Sequence, residues 1–251
     1  MPLDLTHIRN LRPQNEIHYF PTIGSTMTEA ARLASSGAPH GTVVLAEEQT
    51  AGIGRLGRSW ISSRDVGIYS SILLRIGLAP VNLPIASLLL GLATAEAIQQ
   101  STQLACDLRW PNDVLINERK VAGILPHLVD GCVVAGIGIN VNQTAFPEDL
   151  RTPATSLRIE SARREQSRET VLVNLLHSLD VFCAMLESSG TQAILRVFTS
   201  QSSYAINRRI VLEENGSKGT TAGLDENGFL LVRFESGRVE KIATGGVRPA
   251  R

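Results

Sequence analysis

The sequence contains little cysteine and no excess of either charge. Its 251 residues include three cysteines, Cys106, Cys132 and Cys183, which lie far apart in apolar surroundings. This pattern excludes a disulfide framework, shows no metal-ligand spacing and is typical of reduced thiols in a cytoplasmic protein. Lysine plus arginine and aspartate plus glutamate each number 24. Because no overall field attracts nucleic acid or an anionic membrane, we expect neither as a partner and expect local charges to bind any anion.

Long apolar runs are also absent. The first residues lack the basic start and the apolar stretch of a signal peptide. The most apolar segment, residues 83–98, is interrupted by proline, serine, glycine, threonine and glutamate, which is unfavourable for a membrane span. Because Asn82 and Pro84 form a helix-start signal, the segment predicts a buried helix.

Helix-like and strand-like segments alternate, without internal repeats or low-complexity regions. The first twelve or so residues show no pattern and predict an unstructured lead. The segment Thr26-Met27-Thr28-Glu29 has the form of a capping box and predicts a helix to about Ser35. Apolar residues recur at helical spacing over residues 169–187, which predicts a helix with one buried stripe.

Strand-like runs predict a mixed β-sheet on which these helices pack, so the predicted fold class is α+β. Residues 114–116, the polar turn Asn117-Glu118-Arg119 and residues 121–128 have the pattern of a hairpin. The other predicted strands cover residues 17–20, 42–48, 67–75, 103–109 and 132–141.

The composition changes after about Gln201. Short β-type runs are then separated by turn dipeptides that are typical of small antiparallel barrels. These dipeptides are Asn215-Gly216, Asn227-Gly228 and Ser236-Gly237. We therefore predict a larger domain over residues 1–202 and a small β-barrel over residues 203–251. Such a barrel is marginally stable alone, so we expect it to dock against the larger domain.

A Gly/Arg loop is the first segment with a chemical pattern. Residues 52–60 contain a literal G-x-G-x-x-G, but no helix-like segment follows and residues 71–77 carry no acidic side chain. The context of a dinucleotide-binding fold is therefore missing. Glycines interleaved with Arg55 and Arg58 suit a mobile loop whose guanidiniums bind phosphate or carboxylate oxygens. The alternative is an ordinary surface loop with solvated arginines.

The second pattern joins residues 109–113, Arg-Trp-Pro-Asn-Asp, to Lys120. Pro111 ends the preceding strand, which predicts a turn at a sheet end where Asn112 and Asp113 face a ligand. Asp113 is then a candidate ligand of Mg²⁺ bound to nucleotide phosphates. Lys120 begins an apolar strand and can present its ammonium to a carboxylate or an α-phosphate. The alternatives are a plain Asn-Asp turn and a solvated lysine.

Residues 136–142, Gly-Ile-Gly-Ile-Asn-Val-Asn, form the third pattern. The glycines permit close approach of a flat ring, and Asn140 can meet the edge of a heterocycle. The alternative is that the glycines mark a bulge in the strand.

Together, and in this order, these segments resemble the biotin protein ligase family over nearly the whole chain from about residue 16. The shared signatures are a Gly/Arg loop ending in Arg-x-Trp, a Trp-Pro-Asn-Asp box, a Lys-x-Ala-Gly-Ile-Leu strand and a Gly-x-Gly-Ile-Asn strand. The resemblance implies a class II synthetase-like catalytic domain of the biotin/lipoate ligase type, followed by a C-terminal SH3-like β-barrel.

The resemblance also implies a two-step reaction. Biotin and ATP, with Mg²⁺, form biotinyl-5′-AMP and pyrophosphate, and a lysine of a biotin carboxyl carrier protein or domain then attacks the mixed anhydride. Positive groups must offset the repulsion between the biotin carboxylate and the triphosphate. Exposed sheet edges of such a fold permit a homodimer.

The family's residue roles carry over to the matching positions of this sequence. The implied catalytic residues are Lys120, Arg55 and Arg58. The implied biotin-binding residues are Ser25, Thr26, Met27, Gln49, Ile53, Gly54, Arg55, Lys120 and Gly123. The implied ATP-binding residues are Arg55, Arg58, Trp60, Arg109, Asn112, Asp113, Lys120 and Asn140, with Asp113 as the candidate for Mg²⁺.

The sequence departs from the family pattern at three positions. Ile53 replaces the usual first arginine of the loop, Arg109 replaces the usual lysine of the box, and Met27 replaces the usual asparagine after Ser-Thr. We expect the change at Ile53 to slow activation or loosen the retention of biotinyl-AMP without abolishing activity, because the other cationic residues remain.

Regulatory members of the family carry an N-terminal helix-turn-helix domain. The sequence has about fifteen residues before its first predicted strand and no net charge, which argues against a repressor. Two other functions stay open: a lipoate protein ligase, which shares the acyl-adenylate chemistry but not the Trp-Pro-Asn-Asp box, and a catalytically weak biotin-binding sensor.

Overall fold

A seven-stranded mixed sheet forms the centre of the larger part of the protein. The computed structural model describes residues 1–250. The strands are β1 (Ile17–Phe20), β2 (Val43–Ala46), β3 (Gly67–Leu74), β4 (Asp107–Arg109), β5 (Asp113–Ile116), β6 (Arg119–Val129) and β7 (Cys132–Asn140). Their order across the sheet is β1-β2-β3-β7-β6-β5-β4, and β1 pairs with β2 in parallel while the other pairs are antiparallel. The predicted mixed α+β architecture is therefore confirmed.

The predicted hairpin between β5 and β6 is present. Asn117 and Glu118 form its two-residue turn with φ values of 51° and 61°. Positive φ at both central positions gives the backbone twist that suits a tight antiparallel turn, and asparagine tolerates it well. This turn places Asp113 and Lys120 on neighbouring strands.

Helices cover the two faces of the sheet unequally. The helices are α1 (Leu5–Leu11), α2 (Thr26–Ser35), α3 (Leu83–Thr102), α4 (Leu157–Glu160), α5 (Arg168–Ser189) and α6 (Thr191–Gln201). On one face α3 and α5 pack over the large core, whereas α2 covers a smaller cluster on the other face. Although α3 is long and apolar enough to span a membrane, 72% of its most apolar window is buried inside the protein, as expected of a core helix.

The residues of β7 that point to the α2 side of the sheet determine which part of that face is left uncovered. Cys132 and Val134 point to the α2 side and are buried under that helix. Because side chains of a strand alternate between faces, Gly136, Gly138 and Asn140 follow on the same side. Glycine at two successive positions leaves a shallow depression in the sheet beside the start of α2.

The start of the chain corrects the predicted unstructured lead. Residues Leu5–Leu11 form α1, and the Asp4 carboxylate caps it by accepting a hydrogen bond from the amide of His7 at 2.9 Å. Ile8 is fully buried, because α1 packs against α5. The apolar partner is distant in sequence, so no local periodicity indicated the helix.

The predicted capping box at residues 26–29 is also wrong. The N-cap of α2 is Ser25, which makes no side-chain capping bond, and Glu29 instead pairs with Arg32. The backbone amide and the hydroxyl of Thr26 both donate to Gln49 Oε1, at 2.8 Å and 3.0 Å. A contact from another segment thus satisfies the helix start.

Other differences concern the ends of elements. The predicted strand from residue 103 begins only at Asp107, because α3 continues to Thr102 and Gln103 adopts a left-handed conformation after it. Helix α6, which begins after Gly190, was not predicted from the sequence.

A second, five-stranded sheet follows α6. It contains β8 (Ile206–Leu212), β9 (Lys218–Leu224), β10 (Leu230–Arg233), β11 (Val239–Ile242) and β12 (Val247–Pro249), in the order β11-β10-β9-β8-β12, all antiparallel. The indole Nε1 of Trp110 donates to the carbonyl oxygen of Gly228 at 3.0 Å. One cluster of buried side chains includes both α3 and residues such as Ile210 and Leu230 of the second sheet, so the two sheets share a core.

Candidate active site

A cavity of about 590 Å³ lies between the open face of the large sheet and the second sheet, within the usual size range of small-molecule sites. Its lining comes from four parts of the chain: the Gly/Arg loop, residues 109–113 with Lys120, the segment from Asn140 to Ala154, and residues Glu213 and 245–247 of the second sheet. A second, narrow cavity of about 50 Å³ adjoins it. Gly54, Arg55, Trp60, Asn112 and Lys120 line both cavities.

Three glycines form the floor of the narrow cavity. Strand register places Gly138 of β7 opposite Gly123 of β6, and Gly123 opposite Asp113 of β5. A Cβ atom at Gly138 would lie 2.4 Å from the Trp60 indole, and one at Gly123 would lie 2.8 Å from it. At Gly136 a Cβ atom would lie 2.5 Å from Met27 Sδ. The glycines therefore permit the close approach of a flat ring, which in this structure is the indole of Trp60.

The Gly/Arg loop folds back on itself over this floor. The Gly54 amide donates to the Arg58 carbonyl at 2.7 Å, and the Trp60 amide donates to the Gly52 carbonyl at 2.9 Å. Ile53 and Leu56 are exposed at the loop surface. The indole Nε1 of Trp60 is buried without a hydrogen-bond partner among residues 1–250, so the loop presents an unused donor inside the site.

Arg55 links the loop to both sheets. Its Nη1 donates to Asn112 Oδ1 at 3.2 Å and to the Gly245 carbonyl at 3.0 Å. Burial lowers the pKa of Arg55, and the Asp113 carboxylate opposes that effect. An arginine stays charged at neutral pH even so. Its positive charge is therefore held in a poorly solvated position at the junction of the two cavities.

Lys120, Asp113 and Arg109 form a triad of charges in which Arg109 is buried and the other two are partly buried. The Lys120 ammonium lies 2.6 Å from Asp113 Oδ1, and Arg109 Nη2 lies 2.5 Å from Asp113 Oδ2. Burial alone would raise the pKa of Asp113, but the two cations outweigh it and hold the pKa below its usual value. The Lys120 ammonium also lies 5.3 Å from the centroid of the Trp60 ring, a cation–π distance.

The predicted role of Asp113 as a Mg²⁺ ligand stays a prediction. Each of its carboxylate oxygens pairs with one cation in this structure, and each has a second lone pair. No cluster of three or more histidine, cysteine or acidic side chains suited to a metal occurs within residues 1–250.

Polar groups of the narrow cavity form a chain of hydrogen bonds. Gln49 accepts from Thr26 and its Nε2 donates to Ser62 Oγ at 2.8 Å. The hydroxyl of Ser71 donates to Thr26 Oγ1 at 2.9 Å. These bonds fix the positions of Thr26 and Gln49 at the cavity wall.

Comparisons with known proteins agree with this geometry. A model of the biotin/lipoate A/B protein ligase family matches residues 19–143. The bifunctional ligase/repressor BirA of Bacillus subtilis is 33% identical over 240 residues, which cover 91% of this chain and 72% of that protein. This chain belongs to the biotin/lipoate A/B protein ligase family. The biotin–[acetyl-CoA-carboxylase] ligase of Mycobacterium tuberculosis is 31% identical over 89% of this chain and 85% of its own length.

The fold agrees with a solved structure of the same family. A biotin protein ligase from Aquifex aeolicus in complex with biotin and ATP superposes with a TM-score of 0.78 at 32% identity. The match covers 93% of this chain and 97% of that one. The architecture of this ligase is therefore shared over almost its full length.

The structure of this ligase brings together nearly all the site residues predicted from the sequence. Those that line the larger cavity, the narrow one or both are Thr26, Met27, Gln49, Ile53, Gly54, Arg55, Arg58, Trp60, Arg109, Asn112, Asp113, Lys120, Gly123 and Asn140. Ser25 is the exception: it is buried at the start of α2, and its hydroxyl has no partner within the described residues. Ser25 therefore lines neither cavity, and its role in binding biotin stays a prediction.

Other lining residues were not predicted. Arg151 lies in the segment between β7 and α4, and Glu213 follows β8 in the second sheet. Neither belongs to a recognisable motif, because each reaches the cavity only through the packing of distant segments. No sequence signal indicated them.

Proposed function

We propose that this protein is an ATP-dependent biotin protein ligase. It forms biotinyl-5′-AMP from biotin and ATP and then transfers biotin to a lysine of a biotin carboxyl carrier protein. The observation that carries the proposal is the position of Arg55 and Lys120 at the junction of a narrow, glycine-floored cavity and a larger cationic cavity. Two negatively charged reactants can meet there.

The first step joins a carboxylate to a phosphate. A biotin carboxylate oxygen attacks the α-phosphorus of ATP, the bond to the pyrophosphate oxygen breaks, and pyrophosphate leaves with the bonding electrons. Lys120 and Arg55 offset the repulsion between the reactants and stabilise the charge on the α-phosphoryl oxygens. Mg²⁺ bound to ATP adds neutralising charge to the phosphates.

The second step transfers the acyl group. The amine of the carrier lysine attacks the carbonyl carbon of biotinyl-5′-AMP, AMP leaves, and the nitrogen loses a proton to form the amide. No covalent intermediate with the enzyme is required. A closed Gly/Arg loop protects the anhydride from water until the carrier arrives.

The narrow cavity is the proposed biotin end of the site. Thr26, Gln49 and Gly123 line it and offer polar groups and close backbone approach. Its volume of about 50 Å³ is roughly that of two water molecules. Biotin therefore enters only when Trp60 or the Gly/Arg loop moves away from the glycines. The larger cavity, with Arg58, Asn112 and Asn140, takes the nucleotide.

We also propose that residues 203–251 form an SH3-like barrel attached to a catalytic domain of residues 1–202. Five short antiparallel strands with tight glycine turns support this assignment. The names of the relatives from M. tuberculosis and Paracoccus denitrificans specify acetyl-CoA carboxylase, which supports a carrier domain of that class as the partner. A homodimer, a cytoplasmic location and the absence of nucleic-acid or membrane partners stay predictions.

The test is a biotinylation assay read by intact mass. The protein is incubated with biotin, ATP, Mg²⁺ and a biotin carboxyl carrier domain, and we expect the carrier to gain the mass of one biotin. A carrier whose acceptor lysine is replaced by arginine serves as the control, and lipoate replaces biotin in a parallel reaction. An unchanged carrier mass together with tight biotin binding would favour the sensor, and transfer of lipoate alone would favour a lipoate ligase.

A further inference from the structure

Glu213 is a carboxylate in the larger cavity surrounded by arginines from three other segments. Its Oε2 lies 3.6 Å from Arg58 Nη2 and 3.5 Å from Arg151 Nη2, and its Oε1 lies 4.0 Å from Arg248 Nε. The side chain is only 10% exposed. Backbone contacts fix its position: its amide donates to the Gly246 carbonyl at 2.9 Å, and its carbonyl accepts from Arg151 at 2.8 Å.

These ion pairs are longer than hydrogen bonds. Charge-assisted N–H···O bonds measure about 2.7–2.9 Å, so the Glu213 carboxylate balances the charge of the arginines without bonding closely to them. Arg58 and Arg151 are also 46% and 42% exposed. The contrast is Asp113, whose partners lie at 2.5 Å and 2.6 Å. The cavity thus contains one tightly bound carboxylate and one loosely held carboxylate.

Cations outnumber carboxylates in the lining of the larger cavity. Arg55, Arg58, Arg109, Lys120 and Arg151 line it together with Asp113, Asp149 and Glu213. A triphosphate offers several oxygens that can bond directly to Arg58 and Arg151. Glu213 offers two, held at a greater distance.

We infer that Glu213 is an internal counter-ion of Arg58 and Arg151 and that the triphosphate of ATP displaces it from these two arginines. Glu213 therefore lowers the affinity for ATP while it holds the Gly/Arg loop, the segment before α4 and the second sheet together. This inference rests on the proposed function for the identity of the anion. The arginines and their counter-ion would bind any polyphosphate in the same way.

Calorimetry with MgATP and, separately, with magnesium pyrophosphate tests the inference without requiring biotin transfer. Replacing Glu213→Gln removes the charge and keeps the shape. We expect the variant to bind both probes more tightly, by about threefold to tenfold at low salt, with a smaller gain at high salt. In the biotinylation assay KM for ATP should fall while kcat does not rise. The conservative variant Glu213→Asp should stay close to the unmodified protein.

Glu214→Gln is the matched control. Glu214 is the neighbouring residue, and its carboxylate is exposed and accepts a hydrogen bond from Thr244 instead of pairing with the cavity arginines. We expect no change in affinity. Unchanged or weaker binding by Glu213→Gln, with an unaltered melting temperature, would overturn the inference.

If Glu213→Gln destabilises the protein, the same substitution is tested in a second parent protein, the variant Arg248→Gln. In Arg248→Gln the third guanidinium near Glu213 is absent, so adding Glu213→Gln leaves fewer unpaired charges. The double variant should bind MgATP more tightly than Arg248→Gln alone, and equal affinity would also overturn the inference. Because binding is measured directly, a failure of biotin transfer is distinguishable from a failure of this inference.

Discussion

At the scale of single residues, the site depends on how its charges are paired. Asp113 is largely buried and bonds at both oxygens, whereas a lone buried carboxylate would be strongly unfavourable. The pair with Asp113 holds the Lys120 ammonium in place at the junction of the two cavities. Arg109, in the position where the family usually has lysine, supplies the second partner through its wider guanidinium.

Replacing Lys120→Gln should abolish most activation of biotin. The change removes the charge nearest the reacting groups, and the loss of one such stabilising group typically lowers kcat by about a hundredfold to a thousandfold. Biotin-dependent exchange between ATP and pyrophosphate measures the effect. Lys218→Gln, at the one exposed residue of β9, is the control, and an exchange rate for Lys120→Gln equal to that control would contradict the assigned role.

At the scale of elements, glycines and a loop define the narrow cavity. Strands β6 and β7 place Gly123 and Gly138 side by side, and the Gly/Arg loop lays Trp60 over them. Neither glycine has a positive φ, so steric contact with the indole, and not backbone conformation, requires glycine there. The sheet thus fixes the floor, and the loop is the part that can move.

Replacing Gly138→Ala should displace Trp60, and it should also weaken biotin binding because the added methyl group occupies the glycine floor on which biotin is proposed to lie. The added methyl group would lie 2.4 Å from the indole, and overpacking of this kind costs about 1–3 kcal/mol. Biotin calorimetry and the emission of the two tryptophans report the change. Gly91→Ala in α3 is the matched control, since its Cβ would meet only Leu108 at 3.5 Å. Normal biotin affinity in Gly138→Ala would show that the rings of biotin do not lie against this glycine floor.

Replacing Ile53→Arg should slow the release of biotinyl-5′-AMP. Ile53 lines the narrow cavity and its side chain is 46% exposed, so an arginine can be accommodated. One additional charge-assisted hydrogen bond contributes roughly 1.5–3 kcal/mol, which corresponds to a release rate at least about tenfold lower. Leu56→Arg, in the same loop but lining only the larger cavity, serves as the control. An unchanged release rate and biotin affinity would show that the missing arginine has no effect here.

At the scale of the whole molecule, the second sheet completes the site. It supplies the Gly245 carbonyl that holds Arg55 and the carboxylate of Glu213. Trp110 also lines the larger cavity, and its indole donates to the Gly228 carbonyl across the contact between the sheets. Since one buried cluster includes residues of both sheets, we expect the protein to unfold in a single transition.

Replacing Trp110→Phe tests this coupling. The ring is kept while the bond to the buried Gly228 carbonyl is lost, which should lower the free energy of unfolding by about 1–3 kcal/mol. Urea unfolding followed by circular dichroism should still show one transition, at a lower midpoint. Two separate transitions would indicate that the second sheet is stabilised independently of the first.

The sequence by itself determined the features that depend on neighbouring residues. The Asn117-Glu118 turn, the apolar stripe of α5 and the start of α3 at Asn82 follow from local conformational preferences and periodicity. The motifs at residues 52–60, 109–120 and 136–140 also indicated which side chains line the cavities, because they resemble the motifs of the biotin protein ligase family and the family's residue roles carry over to them.

Only the tertiary structure decided the roles that depend on contacts between distant segments. Helix α1 forms because α5 covers Ile8, Thr26 bonds to Gln49 instead of capping its helix, and Asp113 pairs with both Lys120 and Arg109. Glu213 reaches the arginines only because the second sheet packs beside the first. Charge interactions and burial depend on the distance between residues in space. The sequence predicts that distance only within locally regular helices, strands and turns.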